Sequence, residues 1–433
     1  MSVTAWLAVG VFAAAYVLIA TERVHRVAAA LAGATVMLLI GATDAEHAFF
    51  SEEAGVDWNV IVLLLGMMLI VAVLQRTGVF EYIAIWAAKR AKGRPYRVMV
   101  ILVLITAVAS AALDNVTTVL LVAPVTFLVC DRLGVPAAPF LIAEALASNI
   151  GGTATLVGDP PNIIIASRAG LSYNDFLVHL APIVLLLLVV FIGLCRWLFR
   201  DAFTYDAERA ASVMALRERD AIRDGRLLVI SMVVLVLVTA AFVLHTVLHL
   251  EPSVVAIVGG LVLLAASRLD AEEVAKDVEW PTLVFFAGLF IMVGALVATG
   301  VIDLIARGAA DAVEGRLFLA SMVLLWGSAI LSAIVDNIPY VATMSPVVAE
   351  LVGATGGGQD SEVLWWSLAL GADLGGNATA VGASANVVVL GMAERAGRRI
   401  SFWQFTKYGL IVAAITIALC VPYLWLRYFA FAG

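Results

Sequence analysis

Charged residues and cysteines are both scarce in this chain. Asp, Glu, Lys and Arg together make up 14% of its residues, and hydrophobic residues make up 63%. Soluble domains have about 25% charged and about 45–50% apolar residues. The three cysteines are widely separated, so the sequence contains neither a CxxC motif nor a disulfide framework. The composition excludes an ordinary soluble enzyme, and no metal or nucleophile constellation indicates an enzyme within the membrane.

Apolar stretches of about 20 residues follow one another along the chain, and each is long enough to cross a bilayer. The pattern predicts an all-α membrane protein with ten spans and two re-entrant hairpins. We place the spans near residues 4–20, 27–42, 58–75, 138–168, 177–198, 227–249, 253–268, 280–298, 363–394 and 403–428. The hairpins are expected near residues 97–130 and 317–352, and spans 138–168 and 363–394 are expected to be broken.

Polar motifs interrupt the apolar sequence at four places, and the four form two similar pairs. SAALDNVTTVLLVAP begins at Ser110, and its counterpart SAIVDNIPYVATMSP begins at Ser332. NIGGTATLVGDPPN begins at Asn149, and its counterpart DLGGNATAVGASAN begins at Asp373, at nearly the same spacing along the chain. Polar groups at membrane depth are costly and mark substrate or ion pathways by default. Their duplication predicts a secondary transporter built from two repeats.

The repeats predict a domain organisation and a topology. We expect a first repeat at residues 1–199, a connector at 200–226 and a second repeat at 227–433. Each repeat has an odd number of spans, so the second should be inverted. With both termini outside, the basic segments near residues 23–26, 76–97, 200–226 and 395–399 all lie in the cytoplasm, as the positive-inside rule requires. Segments 81–92 and 302–313 are amphipathic and are expected to lie along the membrane interface.

The predicted hairpin tips carry Asp114-Asn115 and Asp336-Asn337. The apolar stretches on either side are interpreted as too short for two full spans, which places each tip at the midplane, where irregular backbone is tolerated beside protein or water. Carboxylate and amide oxygens are hard ligands that suit Na⁺, and a carboxylate can bind H⁺ instead. Alternatively, Asp and Asn only cap the second helix of each hairpin.

The glycine-rich segments after Asn149 and Asp373 are expected to break a span in its middle. Glycine permits non-helical backbone, and Pro160-Pro161 removes two backbone donors. A broken helix presents helix ends and free carbonyls that can hold an ion. The alternative is that the glycines only form a packing face. The candidate substrate- or ion-binding residues are Asp114, Asn115, Thr117, Thr118, Asn149, Gly151, Gly152, Thr155, Asp159, Asn162, Asp336, Asn337, Asp373, Gly375, Gly376, Asn377, Thr379 and Asn386.

The two repeats differ in charge at the breaks. Asn149 corresponds to Asp373, whereas Asp159 corresponds to Ala383, and the breaks contain no Lys or Arg. With the two hairpin aspartates, the predicted site has four carboxylates, which cannot all be ionised at low dielectric without partners. The sequence therefore predicts coupling to H⁺ or Na⁺, with Na⁺ a candidate at the two hairpin tips, and no other cofactor.

The four motifs resemble the ion transporter superfamily over nearly the whole chain. The resemblance is closest to its branch of arsenite/antimonite permeases, NhaD-type Na⁺/H⁺ antiporters and the melanosomal P protein, with a citrate-transporter-like domain. Related divalent-anion/sodium symporters carry Ser-Asn-Thr at their hairpin tips, where this chain has Asp114-Asn115-Val116 and Asp336-Asn337-Ile338. The resemblance implies that Asn115 and Asn337 face substrate or ion. It also implies a homodimer with an elevator mechanism, and for some arsenite permeases a cytoplasmic ATPase subunit.

These observations together predict a multi-pass transporter of the cell inner membrane that exports a small inorganic solute. The leading candidate is arsenite or antimonite efflux driven by proton exchange, because neutral arsenous acid requires no cationic site. A Na⁺(Li⁺)/H⁺ antiporter fits the four carboxylates at least as well. Na⁺-coupled uptake of a carboxylate or other anion is a third alternative, which the tip aspartates disfavour. The expected partners are a small ion or metalloid and the lipid bilayer, without nucleic acid.

Overall fold

The computed structural model describes residues 1–21, 23–51, 54–215, 217–313, 316–355, 358 and 360–430, and throughout these residues the regular structure is helical. The first part contains α1 Val3–Ala20, α2 Arg26–Leu39, α3 Ala45–Phe50, α4 Trp58–Gln75, α5 Val79–Arg90, α6 Pro95–Ala112, α7 Asn115–Leu133, α8 Ala137–Gly152, α9 Pro160–Ala169, α10 Tyr173–His179 and α11 Ala181–Leu198. A connector follows, with α12 at Ala207–Met214 between short 3₁₀ turns at Arg200–Ala202 and Glu218–Ala221.

The remaining helices follow a similar order, except that within the described chain no counterpart of α10 lies between α21 and α22. They are α13 Gly225–Leu248, α14 Pro252–Ser267, α15 Ala271–Lys276, α16 Trp280–Ala298, α17 Val301–Val313, α18 Leu317–Ile334, α19 Asn337–Ala354, α20 Val363–Gly375, α21 Ser384–Arg395 and α22 Phe402–Tyr428. A 3₁₀ turn at Gly376–Ala378 follows α20. Both predicted breaks are present, because a non-helical segment separates α8 from α9 and α20 from α21.

Eight helices in the described part of the chain are long and apolar enough to cross a membrane: α4, α6, α7, α11, α13, α16, α18 and α22. Three shorter apolar segments, Val3–Ile19, Arg26–Leu39 and Pro252–Ser267, coincide with other predicted spans. The expectation that the hairpin stretches are too short to span is wrong for three of the four arms, α6, α7 and α18, whereas α19 is not among the eight helices. The arms α6 and α7 have 18 and 19 residues, about 27 Å each at 1.5 Å per residue. Arm length therefore does not distinguish a re-entrant hairpin from two full spans, and the depth of the turn between the two arms has to do so.

The two tip aspartates cap the helices that follow them. Asp114 Oδ1 accepts a hydrogen bond from the backbone N–H of Thr117 at 2.8 Å. Asp336 Oδ1 accepts one from the N–H of Ile338 at 3.1 Å. Capping satisfies a helix N–H that would otherwise have no partner at the turn. It occupies one oxygen of each carboxylate and leaves the second oxygen outside the cap.

Contacts between helices come in matched pairs. Helix α4 packs on α14, and α16 packs on α2; within the hairpin regions α6 packs on α8 and α18 on α20. Across the molecule α7 contacts α21, and α19 contacts α9. A Cβ on Gly66 of α4 would lie 2.3 Å from the backbone of Ala256, and one on Gly288 of α16 would lie 3.0 Å from that of Ala30. Glycine at these corresponding positions lets the backbones approach closely.

The predicted amphipathic segments are helices α5 and α17. The charged face of α5 binds the connector, because Lys89 Nζ lies 2.5 Å from Glu218 Oε2 and Arg223 Nη2 lies 2.8 Å from Glu81 Oε1. The hydrogen bond from Lys89 lowers the pKa of the Glu218 carboxyl below its ordinary value. The connector is therefore attached to the first part of the chain through α5.

Candidate functional site

A chain of buried amides joins the first hairpin to both helix breaks. Asn115 Nδ2 donates to Asn149 Oδ1 at 3.3 Å. Asn149 Nδ2 in turn donates to Asn377 Oδ1 at 2.9 Å and to Asn386 Oδ1 at 3.1 Å. All four side chains are buried. The tip of the hairpin α6–α7 thus lies at the level of the breaks, in the middle of the broken helices.

The second hairpin reaches the first break from its own tip. Asn337 Nδ2 lies 3.4 Å from Asp159 Oδ1 and 3.3 Å from Asp159 Oδ2, and both residues are buried. Asp159 precedes α9 but makes no side-chain hydrogen bond to the first turn of that helix. Its carboxylate is therefore positioned by the opposite hairpin rather than by capping its own helix.

Each break is held in shape by an equivalent pair of side chains. Asn162 Nδ2 donates to the carbonyl of Thr155 at 3.0 Å, and Asn386 Nδ2 donates to the carbonyl of Thr379 at 2.9 Å. Thr155 Oγ1 donates to the carbonyl of Ala111, and Thr379 Oγ1 donates to the equivalent hairpin carbonyl in the second half, both at 2.6 Å. These bonds satisfy backbone carbonyls left free by the interrupted helices and tie each break to a hairpin arm.

The glycines of the breaks serve close packing. A Cβ on Gly151 would lie 2.2 Å from the carbonyl oxygen of Ala107, and one on Gly375 would lie 2.6 Å from that of Ala329. A Cβ on Gly152 would lie 2.6 Å from the carbonyl oxygen of Gly158, and one on Gly376 would lie 2.9 Å from that of Gly382. Each of these contacts joins two glycines of the same break. The packing interpretation therefore applies to the glycines, while the ion-pathway interpretation rests on the amides and carboxylates beside them.

Several buried acceptor atoms have no hydrogen-bond partner among the described residues: Asp373 Oδ1 and Oδ2, Asn115 Oδ1 and Asn162 Oδ1. Thr153 and Asn162 lie beside Asp373, but within the described chain neither forms a hydrogen bond of normal geometry with its carboxylate. Asp159 is close enough to Asp373 for the two carboxylates to repel each other. An unpaired buried acceptor costs about 1–3 kcal/mol, and a charged one costs more. A proton or a cation would satisfy these atoms.

The donor set fits an alkali cation better than a transition metal. No cluster of three or more His, Cys, Asp or Glu side chains able to hold a metal ion occurs in the part of the chain that the structure describes. The three cysteines are buried in α7, α11 and α22, outside the breaks and the tips. Oxygen atoms from amides, backbone carbonyls and a carboxylate are the ligands that hard cations prefer.

Arg26 is a site residue that sequence reasoning missed. Its Nη1 donates to Ser384 Oγ at 3.0 Å and lies 4.0 Å from Asp336 Oδ2, and its Nη2 donates to Thr282 Oγ1 at 3.4 Å. Ser384 Oγ also donates to Asp336 Oδ2, at 2.5 Å. The sequence indicated only that Arg26 is a basic residue at the end of a span. All of its partners belong to the second half of the chain, and no local pattern connects them to it.

A cavity of about 790 Å³ leads to the hairpin tips, and we call it the Arg26 cavity; its lining includes Arg26, Val116, Glu279, Thr282, Asp336 and Ser384. A second cavity of about 630 Å³ includes Asn59, Val60, Ile163, His245 and Glu251. The positions of Val60 and Ile163 correspond to Thr282 and Val387 in the Arg26 cavity. Of these two cavities, as lined by described residues, the Arg26 cavity alone includes a tip carboxylate.

The remaining predicted residues lie at the edge of this network. Thr117 contributes its backbone N–H to Asp114. The hydroxyl of Thr118 is buried and has no partner within the described residues. The structure thus brings the asparagines and the buried carboxylates together, and it places the tip aspartates at the helix caps.

Comparison with known proteins identifies the family. The family model described as "Citrate transporter" matches residues 16–371, which include both hairpins and the first broken helix. The chain belongs to the CitMHS citrate transporter family. This CitMHS protein is 58% identical over 423 residues to an uncharacterized transporter of Mycobacterium tuberculosis (strain ATCC 25618 / H37Rv), and the match covers 98% of both chains. It is therefore a multi-pass membrane transporter.

A more distant relative and a solved structure extend the comparison. The CitMHS protein is 33% identical to the P protein of Homo sapiens over 96% of its own chain, and it spans 59% of that protein. The predicted relationship to the P protein is confirmed. Its fold is similar to that of the YdaH transporter of Alcanivorax borkumensis, with a TM-score of 0.59 at 16% identity, covering 90% of this chain and 88% of the other. At that identity the likeness concerns the fold alone.

Proposed function

We propose that this CitMHS protein is a secondary active transporter that exchanges Na⁺ or Li⁺ for protons. The observation that supports this most is the group of buried acceptors on Asp373, Asn115 and Asn162, which have no partner among the described residues. A monovalent cation would neutralise the carboxylate and accept the amide oxygens as ligands. A proton would satisfy the carboxylate alone, so the two ions would compete for one site.

The proposed architecture consists of two inverted repeats, residues 1–199 and 227–433, joined by the connector 200–226. The matched contacts of α4 with α14 and α16 with α2 support this arrangement. The hairpins and breaks would move together as one unit in an elevator motion, because Thr155 and Thr379 bond each break to a hairpin arm. The proposed transporter is a homodimer of the inner membrane, with both termini outside and the Arg26 cavity facing the cytoplasm.

Arsenite or antimonite efflux coupled to protons is the second candidate. Asn377 Nδ2 is a buried donor without a partner among the described residues, and it could donate to an oxygen of neutral arsenous acid. A cytoplasmic ATPase subunit would be a partner only in this case. Na⁺-coupled carboxylate uptake is favoured by a different observation, because Arg26 adds a positive charge at a hairpin tip. The description of the family as citrate transporters points to the same class of substrate.

The experiment that separates these functions uses purified protein in liposomes that contain a pH-sensitive dye. A proton gradient is imposed, and NaCl, LiCl, arsenite or citrate is added in turn, with Asp373→Asn protein and empty liposomes as controls. A pH change with Na⁺ or Li⁺ alone, absent in Asp373→Asn, is the expected result. A response to arsenite alone would support metalloid efflux, and a response only to citrate with Na⁺ would support carboxylate symport. Silence toward all four solutes would contradict the proposal.

A further inference from the structure

Arg26 and the tip aspartate Asp336 form a charge pair at the Arg26 cavity. The side chain of Arg26 is 37% exposed and that of Asp336 is 18% exposed, so the pair is in contact with water but is not fully solvated. Hydrogen bonds to Ser384 at 3.0 Å and Thr282 at 3.4 Å hold the guanidinium beside the carboxylate. Arg26 opens α2, whereas Asp336 precedes α19 and Ser384 opens α21. With Thr282 in α16, the Arg26 side chain therefore connects α2 to three other helices at the mouth of the site.

The corresponding place in the other half lacks this arrangement. By the correspondence of the repeats, Ser384 matches Pro160 and Thr282 matches Val60, so neither hydroxyl is present there. Helix α14, the counterpart of α2, begins with Pro252 where α2 begins with Arg26. Two related tip carboxylates thus have different surroundings.

The other tip carboxylate faces a negative charge. Glu279 interacts electrostatically with both Asp114 and Arg26, and its Oε2 accepts a hydrogen bond from Thr282 Oγ1 at 3.2 Å. Asp336 and Glu279 therefore line the Arg26 cavity, and Asp114 lies near Glu279. Arg26 supplies a guanidinium beside the first two carboxylates, and Asp336 lies 4.0 Å from it.

We propose that Arg26 is a tethered counter-ion that competes with the transported cation for Asp336. This inference rests on the proposed exchange of Na⁺ or Li⁺. A guanidinium at this distance supplies the positive charge that a bound cation would otherwise supply, so a cation entering through the cavity has to displace Arg26. The charge of Arg26 at the mouth of the site, where the cation passes Asp336 on its way to Asp373, lowers the affinity of the whole site for cations, which allows the ion to leave again. Arg26 acts through Asp336 and is a positioning residue rather than a ligand of the ion.

The test compares three full-length variants with the wild-type protein in detergent. Arg26→Gln removes the competing charge, Arg26→Lys keeps the charge but loses the planar fork, and Arg395→Gln removes an exposed charge from the edge of the same cavity. The midpoint of thermal unfolding is followed against NaCl and against LiCl, with choline chloride holding the ionic strength constant. A cation that binds the folded state raises the midpoint, so the titration gives the half-saturating concentration without requiring transport. The same variants are assayed for half-saturation of transport in liposomes.

The half-saturating Na⁺ or Li⁺ concentration is expected to fall by about fivefold in Arg26→Gln, because a partly exposed opposing charge is worth up to about 1 kcal/mol. It should stay within about twofold of wild type in Arg395→Gln and in Arg26→Lys. An unchanged value in Arg26→Gln, with a wild-type response to the cation, overturns this inference and leaves the proposed function standing. A fall in Arg26→Lys as large as that in Arg26→Gln also overturns it, because the charge would then be unimportant. No response of the wild-type protein to either cation overturns both proposals.

Discussion

Replacing Asp373 by Asn is the sharpest test of the cation site. Asp373 is fully buried, and neither of its carboxylate oxygens has a hydrogen-bond partner among the described residues. Asn has nearly the same shape and removes the charge. The corresponding position in the first repeat is already Asn149, so the fold accommodates an amide at this place in a break. The substitution therefore changes the chemistry of the site while preserving its packing.

The expected effect on stability differs with and without the cation. An unpaired buried acceptor costs about 1–3 kcal/mol, and an ionised one costs more. Without Na⁺ or Li⁺, and with Asp373 ionised, Asp373→Asn should therefore raise the free energy of unfolding by about 1–3 kcal/mol, because the amide removes the buried charge. With a cation at about 100 times its dissociation constant, the wild-type protein gains about 2.7 kcal/mol from binding. The variant should gain almost nothing, so its advantage shrinks as the cation is added, and the order of stability reverses if that advantage is below about 2.7 kcal/mol.

The assay follows thermal unfolding of the purified protein in detergent, in choline chloride and then in NaCl or LiCl at equal ionic strength. Asp57→Asn is the matched control, because Asp57 caps α4 through the N–H of Val60 and lies outside the breaks and hairpin tips. Its cation response should equal that of the wild type. If Asp373→Asn is less stable than wild type in choline and is still stabilised by Na⁺ or Li⁺, Asp373 is not the residue that holds the cation.

Three further changes test other parts of the structure. Gly151→Ala would place a Cβ 2.2 Å from a carbonyl oxygen of α6. It should lower the free energy of unfolding by about 1–3 kcal/mol through overpacking and abolish transport in liposomes. Gly193→Ala, whose Cβ would have nothing within 4 Å, should leave transport unchanged. Asp114→Asn keeps a good N-cap and should insert normally but lose most cation-driven pH response, whereas Asp57→Asn retains it; wild-type rates in Asp114→Asn would contradict a role for the tip. Lys92→Cys should react with a membrane-impermeant thiol reagent only from the cytoplasmic side, where the proposed topology places this residue. The native cysteines are buried and should not react in its place, and labelling from outside would reverse the proposed topology.

The polar breaks could be predicted from the sequence because they are local. The duplicated motifs locate both hairpin turns and both helix breaks, and the structure ends α8 at Gly152 and α20 at Gly375, inside those motifs. Apolar composition also sufficed to predict a membrane protein. The length argument for the hairpins failed because helix ends set by caps and prolines extend farther than the purely apolar stretch. Pro95, for example, opens α6 before the start of the predicted hairpin at residue 97.

The partners of each polar side chain could not be predicted from the sequence. Arg26 and Asp336 lie in different halves of the chain, and their contact depends on how α2 packs on α16, which in turn contacts α19. The pairing of Asn337 with Asp159 likewise crosses from one repeat to the other. Repeats predict equivalent backbone, because equivalent glycines and threonines recur. They do not predict which side chains pair across the interface between the repeats, because the two partners of such a pair come from different halves of the chain.

The four carboxylates predicted as one group have separate roles in the structure. Asp114 and Asp336 each give an oxygen to a helix cap, and Asp159 accepts from the amide of Asn337. Among the described residues Asp373 alone of the four has both oxygens without a donor. The sequence indicated that four buried carboxylates need partners, and the partner differs from one position to the next. Because hydrogen bonds already stabilise the other three, we expect the charge of Asp373 to depend most on a bound proton or cation, and its substitution to be more informative than that of Asp159.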